Sequence, residues 1–91
     1  MKTYYTDYVG HMLRFYARYT VPGNENWEAV QRVFVTLETK EAEMLKSVYT
    51  HPGVLDAAVR EVAQKHGLNP DKLWNLISKV IRKIAKERGL I

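Results

Sequence analysis

The sequence predicts an all-α fold, a small five-helix bundle with a C-terminal helix-turn-helix and a long final helix. Apolar residues recur at three- and four-residue steps through nearly the whole chain, as they do in helices that bury one face. Turn-forming and capping residues divide this pattern into five segments. The chain has 91 residues and no cysteine, so we expect one domain without disulfides or thiolate metal sites.

The first two segments predict helices with aromatic residues on their apolar faces. The first helix runs from about Thr6 to Tyr19, and Pro22 and Gly23 end it, because proline cannot donate the helical hydrogen bond. The second helix follows a cap at Asn24 or Asn26. Their predicted core-facing stripes are Tyr5, Tyr8, Val9, Met12, Leu13, Tyr16 and Tyr19 in the first, and Trp27, Val30, Val33, Phe34 and Leu37 in the second.

The third and fourth segments predict shorter helices, separated by a His-Pro-Gly sequence. The third is expected over residues 40–49 with Thr39 as its cap. The fourth is expected over residues 55–66 and ends at Gly67, because glycine adopts the left-handed conformation easily. Two i, i+4 ion pairs are expected on the fourth helix, Asp56–Arg60 and Glu61–Lys65. The inward positions are Ala42, Leu45, Val48, Tyr49, Leu55, Ala58, Val59, Val62 and Ala63.

The fifth segment predicts the longest helix, which runs to about Arg88. Asn69 is a capping residue, Pro70 suits the first helical position, and Asp71 places an acid in the first turn. At 100° per residue the helix divides into an apolar half and a polar half. The apolar half holds Leu73, Leu76, Ile77, Val80, Ile81 and Ile84, with Trp74 and Ala85 at its edge. The polar half holds Asp71, Lys72, Asn75, Ser78, Lys79, Arg82, Lys83 and Lys86.

Residues 59–78 have the spacing of a helix-turn-helix. Ala63 is small enough to let two helices approach closely, and Gly67 supplies the positive φ of a tight turn. Apolar residues then fill the wedge between the helices (Leu68, Leu73 and Leu76). The second helix of such a motif presents its outer face to the major groove of DNA.

The positive charge lies in the last quarter of the chain. Residues 1–68 hold eight basic and eight acidic residues, whereas residues 69–91 hold six basic residues against two acidic ones. The later segment therefore accounts for the whole net charge of +4. A chain whose first part has no net charge and whose last part is basic indicates a polyanion as partner, most often nucleic acid.

Residues 37–45, Tyr49 and residues 59–84 together resemble region four of sigma factors. They are also similar to small prophage and mobile-element regulators of Firmicutes, the ArpU-type and RinA-type proteins, which end in a segment like residues 81–91. The likeness is specific over residues 37–91 and looser at residues 12–16 and 27–29. The resemblance divides the single domain 1–91 into an N-terminal helical part, 1–36, and a region-four-like part, 37–91. It implies a prophage or mobile-element transcription regulator that binds duplex DNA, with RNA polymerase as a further partner.

On that hypothesis, the polar half of the last helix carries the DNA contacts. Base contacts are expected from Asn69, Asp71, Asn75 and Ser78, of which Asn75 is the strongest candidate because an amide pairs with adenine in two places. Asp71 alternatively serves only the helix dipole. Phosphate contacts, which set affinity rather than sequence preference, are expected from Lys72, Lys79, Arg82, Lys83 and Lys86.

Two other functions fit the same residues. A phage terminase small subunit also carries a helix-turn-helix, although a ring-forming segment would be expected after it. A protein–protein adaptor or a homodimer would use the apolar half of the last helix, including Ile81, Ala85, Leu90 and Ile91. We expect no enzyme, no cofactor and no metal site, because no catalytic fingerprint is present and the three histidines are widely spaced. We also expect a cytoplasmic protein without a membrane partner.

Overall fold

A computed structural model of the chain describes residues 4–91, which form five α-helices joined by short turns. The helices are α1 (Tyr4–Tyr16), α2 (Glu25–Phe34), α3 (Thr39–Thr50), α4 (Leu55–Lys65) and α5 (Pro70–Glu87). The described residues contain no strand, so the predicted all-α class and the order of five helices are confirmed. None of these helices is both long enough and apolar enough to cross a membrane.

The core lies between α5 and the helices that surround it. α5 packs against α1, α2 and α4, and α3 packs against α4 and α1. The largest fully buried side chains come from all five helices: Val9, Leu13, Val30, Leu45, Val59, Leu73, Ile77, Val80 and Ile84. Because three helices cover α5, only one of its faces is left for solvent.

α1 ends three residues earlier than the sequence predicts. Its last turn closes through the N–H groups of Arg18 and Tyr19, which both donate to the carbonyl of Phe15 at 3.1 Å. The β-branched residues before Pro22 disfavour further helix, because the ring of proline restricts the residue that precedes it. Tyr19 is therefore outside the helix and 56% exposed, and Tyr8 is also exposed, so both were wrongly assigned to the core.

The capping residues of α2 and α3 differ in how well the sequence indicates them. Of the two predicted candidates, Asn24 caps α2, and its Oδ1 accepts the N–H of Asn26 at 2.9 Å and the N–H of Trp27 at 3.1 Å. Trp27 is only half-buried and lies outside the core, so its predicted core position is wrong. The cap of α3 is Glu38 rather than Thr39. The N–H of Glu38 donates to Oε1 of Glu41 at 3.1 Å, one half of a capping box.

The turn between α4 and α5 is a Schellman motif. The N–H of Leu68 donates to the carbonyl of Ala63 at 2.8 Å, and the N–H of Gly67 donates to the backbone carbonyl of Gln64 at 3.2 Å. Gly67 has φ +67°, the left-handed conformation that the sequence predicts for it. Ala63 and Leu73 are fully buried, and Leu68 and Leu76 pack partly buried against the core. The predicted wedge between the two helices is therefore present.

One predicted ion pair of α4 forms and the other is replaced. Asp56 and Arg60 pair at 3.1 Å. Glu61 pairs instead with Nε2 of His51, which the loop before α4 brings to it. Helical spacing alone could not predict this pair, because His51 lies in a loop and not on α4.

A second Schellman motif closes α5 and removes a predicted partner surface. The N–H of Leu90 donates to the carbonyl of Ala85 at 2.8 Å, which turns Leu90 back onto the core. Ile81 and Ala85 are buried within the chain. The apolar half of α5 is therefore already covered, and Ile91 alone of that group is exposed.

Candidate nucleic-acid interface

The outer face of α5 carries nearly all of the predicted DNA contacts. Its exposed residues are Asp71, Lys72, Asn75, Ser78, Lys79, Arg82 and Lys86, and Asn69 is exposed just before the helix. We call the exposed cations of this face, Lys72, Lys79, Arg82 and Lys86, the basic stripe. At 1.5 Å per residue the stripe is about 21 Å long.

The cations of the stripe have no ion pair with any residue in the part of the chain that the structure describes. Three arginines elsewhere do have one: Arg32 with Glu87 at 3.4 Å, Arg60 with Asp56 at 3.1 Å and Arg88 with Glu25 at 3.6 Å. A row of unpaired cations on one helix face produces a local positive potential that attracts a polyanion.

Lys83 differs from the other predicted phosphate contacts. It is half-buried and lines a groove between α2 and α5 with Arg32 and Glu87. This position lies on the α2 side of the helix, about 40° around the wheel from Lys79. Lys83 therefore lies at the border of the stripe rather than on its centre.

The four predicted base contacts lie at and near the N-terminal end of α5. The Oδ1 of Asn69 accepts the N–H of Asp71 at 2.8 Å, so that oxygen is used as a helix cap. Asn75 is exposed in the middle of the same face as the stripe. Ser78 is exposed at the opposite border, where it lines a cavity shared with α1. The structure thus brings the four residues to one surface, with Asn75 the most central.

A feature that the sequence analysis missed lies beside this face. Tyr49 on α3 was expected only to point inward, and it is 3% exposed. Its hydroxyl is buried without a hydrogen-bond partner among the described residues. Tyr49 and Trp74 both line a cavity of about 430 Å³ between α1 and α5. Trp74 therefore lies on the side of α5 that borders α1. In the sequence, Gly10 in the middle of α1 is the residue that could have indicated this cavity.

The buried phenol of Tyr49 makes the stability of the fold sensitive to alkaline pH. Burial raises the pKa of Tyr49 from 10.0 to about 12, although the charge of Arg14 acts to lower it. Above pH 10 the unfolded chain loses this proton before the folded one does, so stability falls as pH rises through that range. We expect Tyr49→Phe to gain about 1 kcal/mol relative to the original chain between about pH 9 and about pH 11.

Urea unfolding of the two proteins at these pH values measures the difference. Lysine titration affects both proteins alike and cancels in the comparison. Tyr19→Phe, which alters an exposed tyrosine, is the matched control and should show no such gain. An equal gain for both variants would show that burial of Tyr49 is not its source.

The chain matches no protein-family model, no curated protein and no solved structure. The likeness to sigma region four therefore stays a prediction that depends on the residues named for it. Within residues 4–91, no group of three or more His, Asp or Glu side chains is placed to hold a metal ion.

Proposed function

We propose that the chain binds duplex DNA with α5 in the major groove and serves as a transcription regulator of a prophage or mobile element. The observation that carries the proposal is the basic stripe, a row of unpaired cations on the outer face of the second helix of a helix-turn-helix. The packing of α1, α2 and α4 supports it, because these helices cover the inner faces of α5 and leave the outer one free. The region-four resemblance supplies the class of regulator.

The length of the stripe separates two kinds of contact. The major groove is about 12 Å wide, whereas the stripe extends over about 21 Å, so its two ends meet different parts of the duplex. The N-terminal end of α5, with Asn69, Asp71 and Asn75, is the part that reads base edges. Arg82 and Lys86 at the other end meet phosphates, which fix the register of the protein on the duplex.

Binding of the chain to a mixed-sequence duplex is expected to depend strongly on salt. Four to five phosphate contacts predict a slope of about −4 for log K against log salt concentration. Fluorescence anisotropy with a labelled duplex over a salt series measures this slope. A slope near zero, or no binding at low salt, would contradict the proposal.

A protein partner is the second candidate function, and exposed aromatic residues at the end of α1 favour it. Phe15 is 49% exposed and Tyr19 56% exposed, with ring centroids 4.8 Å apart, and Arg18 lies between them in the chain. Aromatic and arginine side chains are enriched where proteins bind one another. RNA polymerase or a second copy of the chain is proposed to bind here, in place of the covered apolar half of α5. If DNA does not bind, sedimentation of the chain alone distinguishes a homodimer from a monomer.

A further inference from the structure

The cavity between α1 and α5 has the size and lining of a ligand site. Its volume is about 430 Å³, within the range of small-molecule pockets. Leu55, Trp74, Ile77 and Ile81 form apolar walls, and Tyr49 and Arg14 also line it. The nonpolar part of a ligand can therefore pack against these walls, while its polar group interacts with Tyr49 and Arg14.

The Tyr49 hydroxyl is the observation that points to a ligand. The side chain is 97% buried, and its oxygen has no hydrogen-bond partner in the described part of the chain. A buried hydroxyl without a partner destabilises a protein, so such groups are nearly always satisfied. An acceptor atom on a bound molecule would satisfy this one once the side chains that close the oxygen off from solvent move aside.

Two further residues support the site. Arg14 has no ion pair with a described residue, and its charge acts on Tyr49. Gly10 also lines the cavity, and a Cβ built on it meets no atom within 4 Å. A larger side chain at this position would extend into the cavity, and glycine, which weakens the middle of a helix, leaves that space free.

We propose that this cavity binds a small monocarboxylate with an apolar body. The Tyr49 hydroxyl donates to the carboxylate, Arg14 neutralises its charge, and the apolar body packs on Trp74 and Ile77. Asp7 and His11 also line the cavity, and the single positive charge of Arg14 matches a ligand with one carboxylate. The inference goes beyond the proposed function and does not depend on DNA binding.

An NMR titration of isotope-labelled protein tests the site with three acids, phenylbutyrate, indolepropionate and octanoate. Each acid is compared with the alcohol of the same carbon skeleton. We expect saturable shifts of the backbone amides around Gly10, Arg14 and Trp74. At least one acid should bind about tenfold tighter than its alcohol, because the alcohol replaces a charged acceptor with a neutral one.

Three variants make the result specific. Tyr49→Phe keeps the ring and the fold but is expected to reduce the preference for acid over alcohol, since only Arg14 then favours the carboxylate. Gly10→Leu fills the cavity and is expected to abolish binding of both. Tyr19→Phe, outside the cavity, is the matched control and should bind as the original chain does. The proposal is overturned if none of the acids shifts the cavity amides, if acid and alcohol bind equally, or if Tyr49→Phe leaves the preference for acid over alcohol unchanged.

Discussion

Leu73→Asp is expected to leave the chain unfolded at room temperature. Leu73 is 1% exposed and lies in the wedge between α4 and α5. A carboxylate there would be buried without a partner, and the leucine contacts would also be lost, which together cost several kcal/mol. The low end of the stability range for a domain of this size is about 5 kcal/mol, and at that stability the change removes most or all of it. Circular dichroism during a thermal melt should show no cooperative transition.

Leu76→Asp is the matched control for this prediction. It introduces the same charge three residues later on the same half of the helical wheel, but Leu76 is only half-buried. From the wheel alone, both substitutions would be expected to unfold the chain. With the packing known, Leu76→Asp should keep a cooperative transition at a lowered Tm. A Leu73→Asp melt that matches the original chain would mean that the core between α4 and α5 is wrongly described.

The helices and the turn before α5 could be predicted because local sequence determines them. The i, i+3, i+4 pattern of apolar residues identified all five helices, and α5 divides into a buried and an exposed half as its wheel predicts. The turn before α5 requires a residue with a positive φ, and glycine at position 67 adopts that conformation easily. The exposure of Asn75 and of the basic stripe follows from the same wheel.

The features that could not be predicted depend on contacts between distant parts of the chain. Tyr8 and Trp27 satisfy the helical spacing, yet the neighbouring helices do not extend over them and both stay partly in solvent. Lys83 lies on the polar half of the wheel, but α2 approaches that side and half-buries it. The cavity beside Tyr49 needs α1, α3 and α5 in place together. The sequence of a single helix does not determine these arrangements.

Removal of two charges from the basic stripe is expected to weaken binding to every duplex alike. The double variant Lys79→Gln/Arg82→Gln removes two phosphate contacts, which should make the salt slope about two units less steep. At about 0.1 M salt this corresponds to a loss of affinity of about 10²-fold. Anisotropy titrations against several unrelated duplexes measure both quantities.

Two companion variants separate this effect from net charge and from base reading. Lys40→Gln/Lys46→Gln removes the same number of exposed charges from α3, and it should change the slope far less if α5 is the helix on the DNA. Asn75→Ala should leave the slope unchanged and instead reduce the difference in affinity between duplexes, because an uncharged side chain contributes to base contacts and releases no counterion. An equal loss from the α3 and α5 double variants would mean that the charge of the chain acts as a whole. In that case the outer face of α5 would have no special part in binding, and the exposed aromatic residues of α1 would become the first surface to test.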